Sequence, residues 1–356
     1  MRLFVDISAH GFGHLAQTAP VLNALHAALP ELHLTLRSGL AHERLMMRIQ
    51  APFEFISGTA DFGFVMRNAL DIDLVASAAR YRERHRNWQD AVDHEAEFLR
   101  QQKPDLVFSN VSYLPLAGAA SAGIPAVAMC SLNWADLFLH YFGQETWATA
   151  LHADMLHAYR SADAFLRVTP GMPMPSLHNL HAIGPIADVQ FPRREKIAGR
   201  LNLPVSARWV LIALGGVDHP LPISAWPRLP NVYWLAPGSG QAGRDDIRTF
   251  DASLPFAEVL ASVDALITKT GYGSFVEAAC HGIPMLYLRR PDWPEEECLI
   301  DWGLDNNRAA EITRAAADSG DLAESLEQIW HATLPPRPQA TGIQQACRQL
   351  VQLLCG

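Results

Sequence analysis

The same short sequence pattern occurs in each half of this chain. Residues 119–129 read AASAGIPAVAM and residues 278–288 read AACHGIPMLYL, so both contain A-A-x-x-G-I-P. A helix-like stretch precedes each copy and an apolar, strand-like stretch ends it. The glycine suits the left-handed residue at which a helix ends, and the proline cannot continue that helix. The repeat therefore predicts the same structural step, helix followed by strand, in two places.

Further apolar segments alternate with helix-like stretches along the whole chain. These segments are LFVDI, LVFSN, AVAM, WVLIALGG, YWLA, ALITK and MLYL. Nearly continuous apolar strands separated by helices are typical of a parallel sheet covered on both faces. Two such sheets suit a chain of 356 residues, since one domain usually holds roughly 100 to 200. We therefore predict an α/β fold with two Rossmann-like domains.

The domain boundary is predicted from composition. The first domain spans residues 1–185 and ends in a linker at 169–185 that is dense in proline and polar residues. The second domain spans 186–340, and an amphipathic closing helix follows at 341–356.

Composition excludes some partners and indicates a compartment. A net charge of −9 provides no basic surface for nucleic acid, although one phosphorylated small molecule needs only a few N–H groups and a cation. The five scattered cysteines include no CxxC pair and are typical of reduced thiols in a cytoplasmic chain. Asp6 interrupts the first apolar stretch, which we interpret as a strand and not a signal peptide. We expect a soluble cytoplasmic protein, for which a membrane-bound substrate stays open.

Ligands of open parallel sheets bind beyond the carboxyl ends of the strands, and one such end in the second half has a distinctive sequence. It is KTGYGSFVEA at 269–278. Two glycines lie between strand and helix, a serine could cap the helix, and the first helical amides would face a phosphate. A lysine offers a counter-charge, and a glutamate one turn further could hold ribose hydroxyls. The candidate residues are Lys269, Thr270, Gly271, Gly273, Ser274 and Glu277.

Two other strand ends are weaker candidates. Gly215 and Gly216 follow WVLIAL and either approach a ligand or form a tight turn. The stretch RRPDWPEEE at 289–297 follows MLYL, and Glu295 or Glu296 could accept hydrogen bonds from sugar hydroxyls. The alternative for this stretch is a solvated acidic loop.

These motifs resemble a known enzyme class. ALGG at 213–216 together with SLPFAEVLASVDALITKTGYGSFVEAACHGIPMLYLRRPDWPEEE at 253–297 looks like the donor-binding half of GT-B nucleotide-sugar glycosyltransferases. The type that transfers N-acetylglucosamine in peptidoglycan synthesis is particularly similar. Together with HGFGH upstream, this sequence is also similar to the glycosyltransferase-like N-terminal half of plant arabinokinases and related bacterial proteins. The resemblance covers nearly the whole chain and is most specific at 269–297.

The resemblance implies a cleft between the two parallel sheets, with a nucleotide sugar held mainly by the second domain. The glycines and Ser274 would surround the diphosphate, Glu277 the ribose, Glu295 or Glu296 the sugar, and Phe256 the base. This chain has Lys269 and Tyr272 where the peptidoglycan enzymes have other residues, which leaves the donor open. The kinase half of the arabinokinases has no counterpart here, so kinase activity is not implied.

The stretch HGFGH at 10–14 follows the first strand. Its two histidines suit a metal ion only on a helix, which Gly11 and Gly13 disfavour. We predict instead a flexible loop, a helix from Leu15 onwards, and His14 facing the cleft. By resemblance to the related enzymes, His14 is our candidate for the base that deprotonates an acceptor hydroxyl, with His10 second. The alternative is a histidine that only caps the helix or bonds the loop.

Other loops of the first domain are predicted to line the acceptor side. Asn110, Asn133 and Trp134 lie at two of its strand ends. The stretch 131–142 could also touch lipid, so peripheral membrane contact stays open. The only D-x-D sequence, at 71–73, lies away from the predicted strand ends.

The leading hypothesis is an inverting, metal-independent glycosyltransferase that needs no cofactor. Its partners would be a nucleotide sugar, with UDP as the guess, and a small-molecule or lipid-linked acceptor. One alternative is a nucleotide-sugar hydrolase with water as acceptor. The other is a sugar-nucleotide-binding module without catalysis.

Overall fold

The computed structural model describes residues 1–215, 221–238 and 243–355. Gly216, one of the predicted phosphate-loop glycines, lies outside these residues. The described helices and strands form two α/β units, one in each half of the chain.

The first unit contains β1 (Arg2–Ile7), α1 (Phe12–Ala28), β2 (His33–Ser38), α2 (His42–Met46), β3 (Glu54–Ser57), α3 (Leu74–Arg84), α4 (Trp88–Gln102), β4 (Leu106–Asn110), α5 (Leu114–Ala122), β5 (Ala126–Cys130), α6 (Trp134–Phe142), α7 (Ala148–Arg160), β6 (Ala164–Val168) and β7 (Leu180–Ile183). The second contains α8 (Arg194–Leu201), β8 (Arg208–Ala213), a short 3₁₀ helix (Ile223–Ala225), β9 (Val232–Pro237), β10 (Ile247–Phe250), α9 (Phe256–Leu260), β11 (Ala265–Lys269), α10 (Tyr272–His281), β12 (Met285–Leu288), α11 (Glu296–Asn306), β13 (Ala309–Glu311), α12 (Arg314–Ser319) and α13 (Ala323–His331). A final helix, α14 (Gly342–Cys355), follows.

Both sheets are parallel and doubly wound, which confirms the predicted fold class. The first has strand order β3-β2-β1-β4-β5-β6-β7 and the second β10-β9-β8-β11-β12-β13. The strand order reverses between β1 and β4 in the first sheet and between β8 and β11 in the second. Ligands of doubly wound sheets bind at such reversals.

The A-A-x-x-G-I-P repeat forms the same structure twice. Gly123 ends α5 and Gly282 ends α10, with left-handed φ angles of 69° and 72°. The amides of Ile124 and Ile283 then bond carbonyls of the preceding helix, at 2.9 Å in both copies. Each helix stops here because glycine adopts this conformation without steric cost.

Six strands, β2, β3, β6, β7, β10 and β13, were not predicted. β2 shows why, because it buries the charged Arg37. The Arg37 guanidinium bonds Asp6 at 2.6 Å and both carboxylate oxygens of Glu95 at 2.6 and 3.0 Å. Pairing with distant residues thus compensates for a polar strand, and the local sequence does not reveal it.

The linker predicted at 169–185 is wrong in part, since it contains β7, which extends the first sheet. The closing helix α14 packs against α1 and so returns to the first unit. The Gly342 amide donates to the Pro185 carbonyl at 3.0 Å beside the chain's crossing between units. Among the described helices, none is both long and apolar enough to cross a bilayer.

Candidate active site

The two strand-order reversals bring the candidate residues together between the units. His14 follows β1 and Asn110 ends β4, while Gly215 follows β8 and Lys269 ends β11. All four therefore lie at the carboxyl edges of the central strands.

The helix after β1 starts earlier than predicted. α1 begins at Phe12, with Gly11 as an extended N-terminal residue, so Gly13 and His14 lie in its first turn. The prediction of a flexible loop through residue 14 is therefore wrong. Gly13 faces the backbone of α10 in the second unit. A Cβ on Gly13 would lie 4.0 Å from the backbone nitrogen of Gly273.

His14 is buried and fixed through one ring nitrogen. Its Nδ1 lies 2.9 Å from Oδ1 of Asn110 and 3.7 Å from Sγ of Cys130. Burial lowers the pKa of His14 below its usual 6.5, although Asn110 and Glu295 act in the opposite direction. The ring is therefore neutral at pH 7, which a general base requires.

His10 lies beside His14 and is held by aromatic rings. It stacks on Trp293 with ring centroids 5.7 Å apart and meets Trp134 edge-on at 5.0 Å. Its pKa is lowered well below the usual value by burial and by the nearby Arg290, His14 and Lys269. Its Nε2 is shielded from solvent and has no hydrogen-bond partner among the described residues.

The two histidine rings lie near each other at an angle. Their centroids are 6.5 Å apart and their planes are inclined by 69°. In the described ranges, no three His, Cys, Asp or Glu side chains come together in a way that could hold a metal ion.

The N-terminus of α10 meets that of α1 across the units. α10 begins at Tyr272 with Gly271 as its N-terminal cap, so the prediction that Ser274 caps this helix is wrong. A Cβ on Gly273 would lie 3.0 Å from that of Ala16 and 3.7 Å from the Gly13 Cα. Neither helix has a side-chain cap in the described part of the chain. Two positive helix ends therefore face one place.

Lys269 reaches over the glycine loops of the second unit. Cβ atoms built on Gly215 and Gly271 would lie 3.9 and 3.6 Å from its Nζ. Burial lowers the pKa of Lys269 well below its usual 10.5; Arg290 acts in the same direction and Glu295 more weakly against it. Thr270, next in sequence, donates to Glu296 at 2.7 Å.

Arg290 is the residue that sequence reasoning missed. Its side chain is 5% exposed and its guanidinium lies 3.8 Å from the centroid of the Trp293 ring. Burial lowers its pKa to about 10, despite the nearby Glu295. Its Nε has no hydrogen-bond partner among the described residues. Its signal in the sequence is its position two residues after the end of β12, near the predicted carboxylates.

The two carboxylates predicted to hold sugar are both bonded within the protein. Glu295 accepts from Ser131 Oγ at 2.5 Å and from Trp293 Nε1 at 3.2 Å. Glu296 accepts from the Arg290 backbone and from the Arg289 side chain, the latter at 2.8 Å. The idea of a solvated acidic loop fails for both, since they are 3% and 4% exposed. Their role toward a sugar stays a prediction.

Glu277, the predicted ribose ligand, bonds an arginine of the first unit. Arg48 binds its two oxygens at 2.5 and 3.2 Å. The Arg48 guanidinium also lies 5.8 Å from the ring of Phe256, the predicted base-side residue. Arg48 therefore occupies the space that joins these two candidates. A cavity of about 700 Å³ opens beside Arg48 and Cys280.

The predicted acceptor-side residues are largely structural. Asn133 caps α6 through its bond from the Asp136 amide at 2.8 Å. Trp134 is fully buried, lies against both histidine rings, and donates from Nε1 to Asp61 at 2.5 Å. Burial raises the pKa of Asp61 to about 6. Trp134 thus packs against the rings of both histidines.

Residues 71–73 also have structural contacts. Asp71 pairs with Arg314 of the second unit at 2.7 and 2.9 Å, and Asp73 caps α3. Tyr272 joins the units as well, because its hydroxyl donates to Thr169 O at 2.9 Å and accepts from Ile186 N at 3.0 Å. The contacts of Asp71 and Tyr272 join the two units.

Solved structures with this architecture are glycosyltransferases. The calicheamicin glycosyltransferase CalG4 has a TM-score of 0.61 at 16% identity, over 99% of this chain and 94% of that one. Arabidopsis thaliana UGT89C1, solved with quercetin, has a TM-score of 0.64 at 13% identity, over 100% and 99%. The fold is GT-B.

A third structure with the GT-B fold was solved with a nucleotide-sugar analogue and a second small molecule. Phytolacca americana UGT2, complexed with UDP-2-fluoro-glucose and pterostilbene, has a TM-score of 0.56 at 14% identity. It matches 99% of this chain and 94% of that one.

The sequence comparison agrees with the predicted resemblance. L-arabinokinase of Arabidopsis thaliana is 24% identical over an alignment 310 residues long that covers 82% of this chain. The matched part is 28% of that relative's length, so the GT-B chain spans little more than a quarter of it. No protein-family model matches the sequence.

Proposed function

We propose that this protein transfers a sugar from a nucleoside diphosphate sugar to a hydroxyl acceptor. The observation that carries the proposal is a pair of buried cations between the units for which the described residues provide no ion pair. Arg290 and Lys269 lie largely buried near the uncapped start of α10, and both have lowered pKa values. Burying cations without partners is costly. A bound diphosphate would supply the missing negative charge.

The proposed chemistry is a single displacement. The acceptor oxygen attacks the anomeric carbon as Nε2 of His14 takes its proton. The bond between that carbon and the diphosphate oxygen breaks with its electron pair on the leaving group. Arg290, Lys269 and the amides of α10 stabilise the developing charge, as preorganised donors do in other enzymes. One direct attack inverts the anomeric centre, and these groups perform the part that a metal ion has in other transferases.

The donor nucleoside is assigned to Glu277 and Phe256. Arg48, which now bonds Glu277, would have to move away before a ribose could bind there. UDP is our first choice of nucleotide, because Phytolacca americana UGT2 was solved with a UDP-sugar analogue. The acceptor is expected to enter by a cavity of about 330 Å³ between the units, beside Tyr141 and Asp292.

The experiment is incubation with UDP-, GDP- and dTDP-sugars, followed by measurement of nucleoside diphosphate release with and without a panel of hydroxyl acceptors. Release that needs an acceptor supports transfer. Release into water alone supports the hydrolase, and binding without release supports the non-catalytic module. Absence of binding to every donor refutes the donor site.

Two variants and a control separate the roles. His14→Gln is expected to keep donor binding and to lose turnover by about 10²-fold or more, the usual contribution of a general base. Arg290→Met is expected to lose donor binding. His178→Gln changes an exposed histidine and is expected to behave as the parent protein.

A further inference from the structure

A chain of buried hydrogen bonds leads away from His14. Nδ1 of His14 lies 2.9 Å from Asn110 Oδ1, and Asn110 Nδ2 donates to Gln17 Oε1 at 3.1 Å. Gln17 Nε2 donates to Ser131 Oγ at 2.8 Å, and Ser131 Oγ donates to Glu295 Oε1 at 2.5 Å. None of the five side chains is more than 7% exposed.

Glu295, the last residue of this chain, determines which group donates and which accepts in every hydrogen bond of the chain. An ionised carboxylate only accepts hydrogen bonds, so Ser131 must donate to Glu295 and accept from Gln17. The Gln17 oxygen then faces Asn110 and accepts from its Nδ2. The Asn110 oxygen is left for His14, which must carry its proton on Nδ1. The lone pair of the ring is therefore on Nε2.

We propose that Glu295 is a positioning residue that sets the tautomer of His14 through Ser131, Gln17 and Asn110. The inference rests on the proposed function, in which Nε2 of His14 is the base. Glu295 then acts on the reaction without contacting the acceptor oxygen. Aligned hydrogen bonds polarise one another, so the carboxylate also favours the charged ring that forms during proton transfer.

The chain also joins the two units. Ser131 follows β5 of the first unit and Glu295 precedes α11 of the second. The Ser131–Glu295 bond is therefore complete only while the units are closed, and an open protein lacks the carboxylate end. His14 is then prepared for catalysis in the closed form alone.

The other groups around His14 do not set the tautomer. The thiol of Cys130 lies 3.7 Å from Nδ1, and burial raises its pKa, so it stays protonated and is a weak acceptor. His10 is neutral and presents its ring at 6.5 Å, while Trp134 contributes only its ring. Asn110 is thus the one strong partner of Nδ1 in the described structure.

The first test is ¹⁵N NMR of the histidine rings in the free protein, with His14 assigned from the spectrum of His14→Gln. We expect the Nδ1–H form in the parent protein. In Glu295→Gln the amide must serve both Ser131 and Trp293, and the bond direction can reverse. The Nε2–H form of His14 should therefore appear. Ser131→Ala interrupts the hydrogen-bond chain on the side of the first unit. It should also make the Nε2–H form of His14 appear.

The control is Glu297→Gln, which changes the neighbouring, 71% exposed carboxylate and should leave the His14 spectrum unchanged. If both Glu295→Gln and Ser131→Ala show the parent Nδ1–H form alone, the proposal is refuted. The spectrum needs no donor or acceptor, so this result is independent of the proposed function.

The second test is rescue. Asn110→Asp, added to Glu295→Gln, places an obligate acceptor directly at Nδ1 and should restore the Nδ1–H form. We expect Glu295→Gln to lower kcat by about ten- to a hundredfold, a part of what a placed base supplies. The double variant should recover activity, with its acid limb at higher pH because the new carboxylate raises the His14 pKa. Recovery of neither tautomer nor rate would contradict the relay.

Discussion

Replacement of Arg290 by methionine is expected to stabilise the ligand-free protein. The pKa of Arg290 is lowered from 12.5 to about 10. One pKa unit corresponds to about 1.36 kcal/mol, so keeping this side chain charged lowers the stability of the folded protein by about 3 kcal/mol at neutral pH. The nearby Glu295 and Glu296 are already included in that value, since both raise this pKa. Methionine retains most of the apolar stem and removes the charge.

The gain is reduced by one lost interaction. The guanidinium lies 3.8 Å from the Trp293 ring centroid, and a desolvated contact of this kind contributes about 1–2 kcal/mol. Arg290→Met should therefore unfold with a free energy about 1–2 kcal/mol above that of the parent protein. In contrast, a saturating diphosphate ligand adds about 2.7 kcal/mol at a hundred times its Kd, and the variant should gain little of this.

The assay is urea unfolding followed by circular dichroism, with and without UDP. The order of stability should reverse: the variant is the more stable protein without UDP and the less stable one with it. Arg289→Met is the matched control, because this neighbouring arginine is half-exposed and paired with Glu296; it should lose stability in both conditions. If Arg290→Met is destabilised without ligand, or if UDP stabilises it as much as the parent, the reasoning on the cation site is wrong.

Three further predictions concern neighbouring groups. Because the folded-state pKa of Asp61 is raised to about 6 from 3.8, the folded state loses about 3 kcal/mol of stability as pH rises from 4 to 7. Asp61→Asn should lack this loss in urea titrations, and a pH-independent difference from the parent would contradict it. Lys269, whose pKa is lowered, should take up a proton when UDP binds at alkaline pH. Calorimetry in buffers with different heats of ionisation measures this uptake, and a binding heat that is the same in all buffers would contradict it. Gly273→Ala places a Cβ 3.0 Å from that of Ala16 and should weaken UDP binding, whereas Gly199→Ala, with open space around its Cβ, should leave binding unchanged and stabilise its helix by about 1 kcal/mol.

Much of the fold could be predicted because its signals are local. The G-I-P repeat terminates two helices by backbone conformation alone, and the apolar strands are continuous because helices cover both faces. β2 was missed for the opposite reason. The charge of Arg37 in β2 is tolerated only because Asp6 and Glu95, distant in sequence, are bonded to it.

The candidate site divides in the same way. The sequence located the strand ends at HGFGH and KTGYGS, since glycines between a strand and a helix are a local signal. It did not reveal that Ser274 lies inside its helix, that Arg48 bonds Glu277, or that Nε of the buried Arg290 has no hydrogen-bond partner among the described residues. The bond between Arg48 and Glu277 depends on a group of the other unit, which the local sequence does not specify.

Local backbone preference and apolar patterning thus determined, from sequence alone, two parallel sheets and the position of the glycine loops. Only the tertiary structure decided which polar groups are paired and which are not, because the burial of a charge and its partners depend on residues far apart in sequence, such as Arg48 and Glu277 at 229 positions. The tautomer of His14 belongs to this second class. It follows from a carboxylate in the other unit, reached through three side chains that are not neighbours in sequence.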